Sequence, residues 1–113
     1  MSRTNFSGPI VSTAGFTPGT SSVGLTQVMK GTIAVDPSSL LTLTSVDMSV
    51  TITGAATGDV VIMNPPATLE ATLSFAGAYV SAANTVKVRI TNHSAGTVDG
   101  ASLTWTYAIL RLA

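Results

Sequence analysis

The 113-residue chain has no cysteine, one histidine, one tryptophan and very little charge. Without cysteine, neither a disulfide nor a cysteine–metal centre is open to it. A single histidine adds little for zinc, so no metal and no cofactor are expected. Charged residues make up 9% of the chain, where an ordinary domain carries roughly 25%. Five cations balance five anions, and that neutrality argues against nucleic acid as a partner. Long apolar runs are also missing. Val60-Val61-Ile62-Met63 is among the longest, far below the ~20 residues that cross a bilayer. Met1-Ser2-Arg3-Thr4-Asn5 has no apolar segment behind its charge, unlike a secretory signal. A membrane partner is therefore not expected. Asn5-Phe6-Ser7 and Asn92-His93-Ser94 fit the glycosylation pattern and are read as chance matches.

What the chain does have is serine and threonine, 31 together, and a run of short alternating segments. Its length suits one domain that buries roughly two-thirds of its unfolded surface. Residues 1–23 differ from the remainder. Gly8-Pro9, Gly15 and Pro18-Gly19 punctuate them too often for a long strand or helix. Phe6, Ile10, Val11 and Phe16 are the sizeable apolar side chains there. The segment reads as an extended N-terminal arm with apolar anchor points, followed by a domain over 24–113.

From Gly24 onward the period is near two. Leu25, Gln27, Met29, Gly31, Ile33 and Val35 share one face. Asp36-Pro37-Ser38-Ser39 breaks the strand. In 40–53 the apolar phase shifts near Ser45, from Leu41 and Leu43 to Val46, Met48, Val50 and Ile52. That shift predicts a bulge or a crossing between sheets. Val60–Met63 reads as a fully buried strand ended by Asn64-Pro65-Pro66, and 67–71 as one helical turn. Residues 72–80 place Leu73, Phe75 and Tyr79 on one side. The clearest alternation is 85–92, with Val86, Val88 and Ile90 opposite Thr85, Lys87, Arg89 and Thr91. After a loop over 92–102, Leu103–Leu112 closes the chain, apolar on both faces at its end. No window longer than about ten residues has helical spacing. Strands at 8–12-residue intervals predict an all-β fold, a single antiparallel β-sandwich of six to eight strands. A jelly-roll form is preferred over an immunoglobulin-like one.

Chemistry is hard to find in these residues. His93 sits in a loop with no nucleophile or acid at a local spacing. Asp36, Asp47, Asp59, Glu70 and Asp99 stand singly, mostly beside Gly or Pro, where aspartate bonds its own backbone in turns. No calcium loop, P-loop or nucleophile elbow occurs. No catalytic residue is assigned and the chain is not expected to be an enzyme. Lys87 and Arg89 read as a solubilising strand face. Trp105, Tyr107 and Ile109, two apart in the last strand, read as core or subunit-interface packing. A sugar platform of Trp105 and Tyr107 is the weaker alternative.

Two segments resemble structural proteins of tailed bacteriophages. Thr4-Asn5-Phe6-Ser7-Gly8-Pro9-Ile10-Val11-Ser12-Thr13-Ala14-Gly15-Phe16 is similar to the opening of some phage virion proteins. Gly54–Asp59, Pro65-Pro66, Val80–Asn92, Ala95–Asp99 and Thr104–Tyr107 follow the order of a β-rich module in phage head-decoration, head-fibre and tail-fibre proteins. Together they span about two-thirds of the chain. The resemblance implies a capsid decoration, or cement, protein on the outer surface of the virion. Its partners would be the major capsid protein and two further copies of itself, as a homotrimer. The arm would lie along the shell with Phe6, Ile10, Val11 and Phe16 in apolar grooves. A tail-fibre or head-fibre component, or a carbohydrate-binding module, is the alternative.

Overall fold

The computed structural model describes residues 24–112, together with 7–9, 11 and 13. Alternating apolar and polar side chains, cut by Gly, Pro and Asn, give six strands. They are β1 Leu25–Val35, β2 Ser45–Thr51, β3 Val60–Asn64, β4 Leu73–Ala82, β5 Thr85–Asn92 and β6 Leu103–Leu112. No helix stands among the described residues. The strands form two antiparallel three-stranded sheets, in orders β1-β6-β3 and β2-β5-β4. Packed face to face, they make the expected β-sandwich.

The pairing is nested: first strand with last, second with last but one. That is the winding of a jelly roll, here with six strands instead of eight. An immunoglobulin-like order would instead pair strands 1 and 2 within one sheet, where here they lie in different sheets. β6 is the central strand of its sheet, which is why its sequence is apolar on both sides.

The core lies between the sheets. Trp105, Ile109, Val35, Val86, Val88, Ile90 and Leu40 are completely or almost completely buried. The Trp105 ring meets Phe75 of the opposite sheet edge to face, with centroids 5.5 Å apart and planes at 80°. That is a favoured aromatic geometry. Tyr107 lies across Gly31, its partner in the β1–β6 register. A Cβ on Gly31 would stand 2.8 Å from the Tyr107 hydroxyl oxygen, so only glycine allows this approach.

Several sequence expectations change in detail. Leu41 and Leu43 are not in a strand. Leu40 forms an isolated bridge with Val98, and the next residues turn before β2. Leu43 takes a positive φ of 54°, a conformation that costs a side chain with a Cβ about 1–2 kcal/mol. The phase shift near Ser45 is therefore a turn and not a bulge. Val60–Met63 is only partly buried, because β3 is an edge strand and its outer side chains face outward. Tyr79 faces away from Leu73 and Phe75, because a register shift between Phe75 and Gly77 reverses the alternation of β4. Residues 67–71 form turns, closed by Leu69 N–H to Pro66 O at 3.1 Å and Leu73 N–H to Glu70 O at 2.9 Å.

Candidate functional site

Each sheet has one face in the core and one face outside, and the two outer faces differ in character. The outer face of β2-β5-β4 is a polar ladder. Register places Ser45 opposite Thr91, Asp47 opposite Arg89, Ser49 opposite Lys87 and Thr51 opposite Thr85. Arg89 grips the Asp47 carboxylate with Nε at 2.7 Å and Nη2 at 3.0 Å. The Tyr79 hydroxyl donates to the same carboxylate at 2.9 Å, and the Arg89 guanidinium lies 6.0 Å from the Tyr79 ring centroid. Lys87 Nζ donates to Ser49 Oγ, and Ser45 shares a hydrogen bond with Thr91. These groups are already satisfied by one another, so an incoming ligand would have to break existing bonds to use them. The same pairs occupy the expected solubilising face at Lys87 and Arg89.

Arg89, and then Tyr79, hold Asp47 at a pKa of about 2, below its ordinary 3.8. The bidentate Arg111 holds Asp59 low as well. Both folded-state values lie below the unfolded ones. Their stabilisation is present above pH 4 and is lost as pH falls toward 2. Acid unfolding is therefore expected between about pH 4 and 2. Asp47→Asn should flatten that limb in a pH series followed by circular dichroism. A limb of unchanged steepness would show that Asp47 is not coupled to folding.

The outer face of β1-β6-β3 is apolar over much of its length. Val28, Leu110 and Val60 stand in one row across three strands, and Lys30, Ala108 and Ile62 in the next. Leu112 extends the strip toward the end of β6. Val28 is 59% exposed, Ile62 50% and Leu112 52%. Thr32, Thr106 and Asn64 close the strip on one side, and Lys30 is its only charge. Apolar side chains gathered on one outer face in this way are the kind of surface that protein contacts use. The sequence signal for it was the apolar outer register of β3 and β6, taken at first as burial.

Trp105 and Ile109 are fully buried within the chain itself. They take the core half of the earlier expectation and leave no surface for a subunit interface. Trp105 is likewise closed to a sugar. Tyr107 is half-buried on the same inner face, against Gly31. The outward-facing residues of β6 are the alternate ones, Ala108, Leu110 and Leu112. Of the arm residues, Val11 is exposed, while Phe6, Ile10 and Phe16 lie outside the described residues.

Two structural hubs escaped the sequence reading. Arg111 Nε and Nη2 each reach Asp59 at 2.9 Å, Nη1 reaches Gln27 at 2.8 Å and Nη2 also reaches Gly54 O at 2.7 Å. The Asp59 side chain is only 3% exposed and also accepts from Ala56 N. This clamp ties the 54–59 loop to β1 and β6. At the opposite end of the sandwich, Asn92 is completely buried. Its Nδ2 donates to Leu40 O, Leu41 O and Gly96 O at 3.0, 3.2 and 2.9 Å, and its Oδ1 accepts from Ser94 N at 2.9 Å. The bonds of Asn92 to Ser94 and Gly96 are local, but its bonds to Leu40 and Leu41 and those of Arg111 to Gln27, Gly54 and Asp59 join residues more than 50 positions apart and have no local signature.

The fold also brings Ser74 Oγ within 2.6 Å of His93 Nε2, through the Leu73–Asn92 register. The pair is exposed. Among the described residues no acid bonds the ring, so the arrangement lacks the third member of a nucleophilic relay. No group of three metal-ligating side chains occurs among the described residues. Comparison with family models, curated proteins and solved structures returns no match.

Proposed function

We propose that this chain is a bacteriophage capsid decoration protein, a structural protein that binds the outer surface of the major capsid protein shell and stabilises it. The observation that carries the reading is the contrast between the two outer faces. One is a self-satisfied polar ladder suited to water, and the other is an apolar strip with Lys30 as its one charge, suited to protein. The strip faces copies of the same chain. Such contacts act through repetition, because avidity on a lattice multiplies weak binding. The phage resemblance supplies the shell as the surface and a homotrimer as the unit. Low charge and a chain without cysteine suit assembly in one redox environment and persistence in another.

The arm completes the reading. Twenty-three residues reach up to ~75 Å when extended, about twice the length of β1. Deleting residues 1–20 is expected to leave a folded domain that no longer binds capsid shells. Co-sedimentation of the truncated and full-length proteins with shells lacking the protein tests this. Equal binding by the truncated chain would remove the arm from the account. A chain found only in purified tails would instead support the fibre alternative.

A further inference from the structure

At the end of the sandwich away from the start of β1, the chain displays two leucines that no part of its own core uses. Leu41 is 65% exposed and Leu43 74%. They lie in the turn between Leu40 and β2, and Leu43 is held at φ 54°. A leucine in that region persists only where its surroundings over-determine it. Here they do. Leu40 and Val98 exchange backbone hydrogen bonds at 2.8 and 3.0 Å. Asn92 holds the carbonyls of Leu40 and Leu41 from below. Thr44 Oγ1 donates to Leu41 O at 2.7 Å, Thr42 Oγ1 donates to Ser94 O, and Asn92 N donates to Thr44 O at 2.9 Å. The two side chains are thus presented on a fixed backbone, which lowers the entropy cost of binding through them.

The charge around them has one sign. The loops at this end, 36–44, 65–72 and 93–102, hold Asp36, Glu70 and Asp99 and no lysine or arginine. Glu70 is turned inward, where Ala101 N donates to it at 2.9 Å. Asp36 and Asp99 are exposed. An apolar tip with an acidic surround is repelled by an anionic bilayer and matches a protein surface with an apolar socket and a basic rim.

We infer that Leu41 and Leu43, with Asp36 and Asp99 in the loops at the same end, form a preset knob that inserts into an apolar, basic-rimmed socket on the capsid shell. The inference rests on the decoration reading and names the residues that make its contact. It is separate from the apolar strip of β1-β6-β3, which joins copies of the chain to one another.

The test compares wild type with the double variant Leu41→Ser, Leu43→Gly in the full-length chain. Glycine accepts the positive φ and both side chains are exposed, so thermal unfolding and oligomeric state are expected to stay unchanged or improve. The probes are shells lacking the protein, and vesicles of phosphatidylcholine with and without phosphatidylglycerol. Affinity for shells is expected to fall roughly tenfold or more, and Asp36→Lys, Asp99→Lys should also weaken it. Vesicles should bind neither form. A folded double variant that binds shells like wild type overturns the knob and leaves the decoration reading standing. Vesicle binding by wild type that the variant loses makes the knob a membrane device and overturns its assignment to a protein. Wild type that binds no shells defeats the decoration reading, and the knob with it.

Discussion

Replacing Asn92 by alanine is expected to cost about 3 kcal/mol or more of folding stability. The side chain is completely buried and makes four hydrogen bonds to main-chain groups of two loops. Alanine leaves the N–H of Ser94 unpaired and takes one of two donors from each of the carbonyls of Leu40, Leu41 and Gly96, which keep Val98 N, Thr44 Oγ1 and Ser94 Oγ. Buried polar groups left unpaired each cost on the order of 1–3 kcal/mol, with water recovering part at the more open positions. Against a total of roughly 5–15 kcal/mol for a domain, that is a large share. The loss also loosens the turn that carries Leu41 and Leu43. Asn92→Asp should be worse at neutral pH, because a carboxylate would face three carbonyl oxygens. Burial and those oxygens would raise its folded-state pKa above the unfolded value. Its deficit should therefore be smallest in mild acid and grow as pH rises. Urea unfolding of the three proteins checks this. An alanine variant within a few tenths of a kcal/mol of wild type would show that the loops do not depend on Asn92.

The second large effect concerns assembly. Val28→Lys with Ile62→Lys is expected to abolish self-association while leaving the isolated domain folded. In the single chain both side chains project outward, and a lysine there keeps its ammonium in water. Between packed copies the same ammonium is buried without a partner, at a cost of several kcal/mol. Sedimentation velocity across a concentration series should give monomer for the variant and an oligomer for wild type. Comparable unfolding temperatures at low concentration would confirm that the change is at the surface. A variant that associates like wild type would remove the β1-β6-β3 face as the contact between copies.

How far the sequence foretold the structure depended on the range of the interaction. Period-two alternation in 25–35 and 85–92 gave β1 and β5 with their faces, because one core face dictates each side chain's direction. The nested strand order was not legible, since periodicity carries no information about neighbours. Tyr79 was misplaced for a local reason: the register shift before Gly77 reverses a strand whose residues alternate acceptably either way. Val60 and Ile62 were read as buried because an apolar edge strand looks like a central one until its neighbours are known. The same ambiguity hid the candidate site. An apolar residue meant for a partner and one meant for the core are chemically alike, so Trp105 and Leu110 separate only when the fold assigns one inward and one outward. Asn92, Arg111 and the Ser74–His93 contact join residues 2 to 84 positions apart, and most of these pairings lie beyond any local pattern.

A cryo-electron microscopy map of particles carrying this chain, with copies counted, tests whether it coats a capsid shell. Many copies are expected across the outer shell, with the Val28–Leu110–Val60 strip buried between neighbouring copies and the 1–23 segment running along the capsid protein. Density confined to the tail or to a single vertex, or copies whose β1-β6-β3 face lies open to solvent, would contradict it.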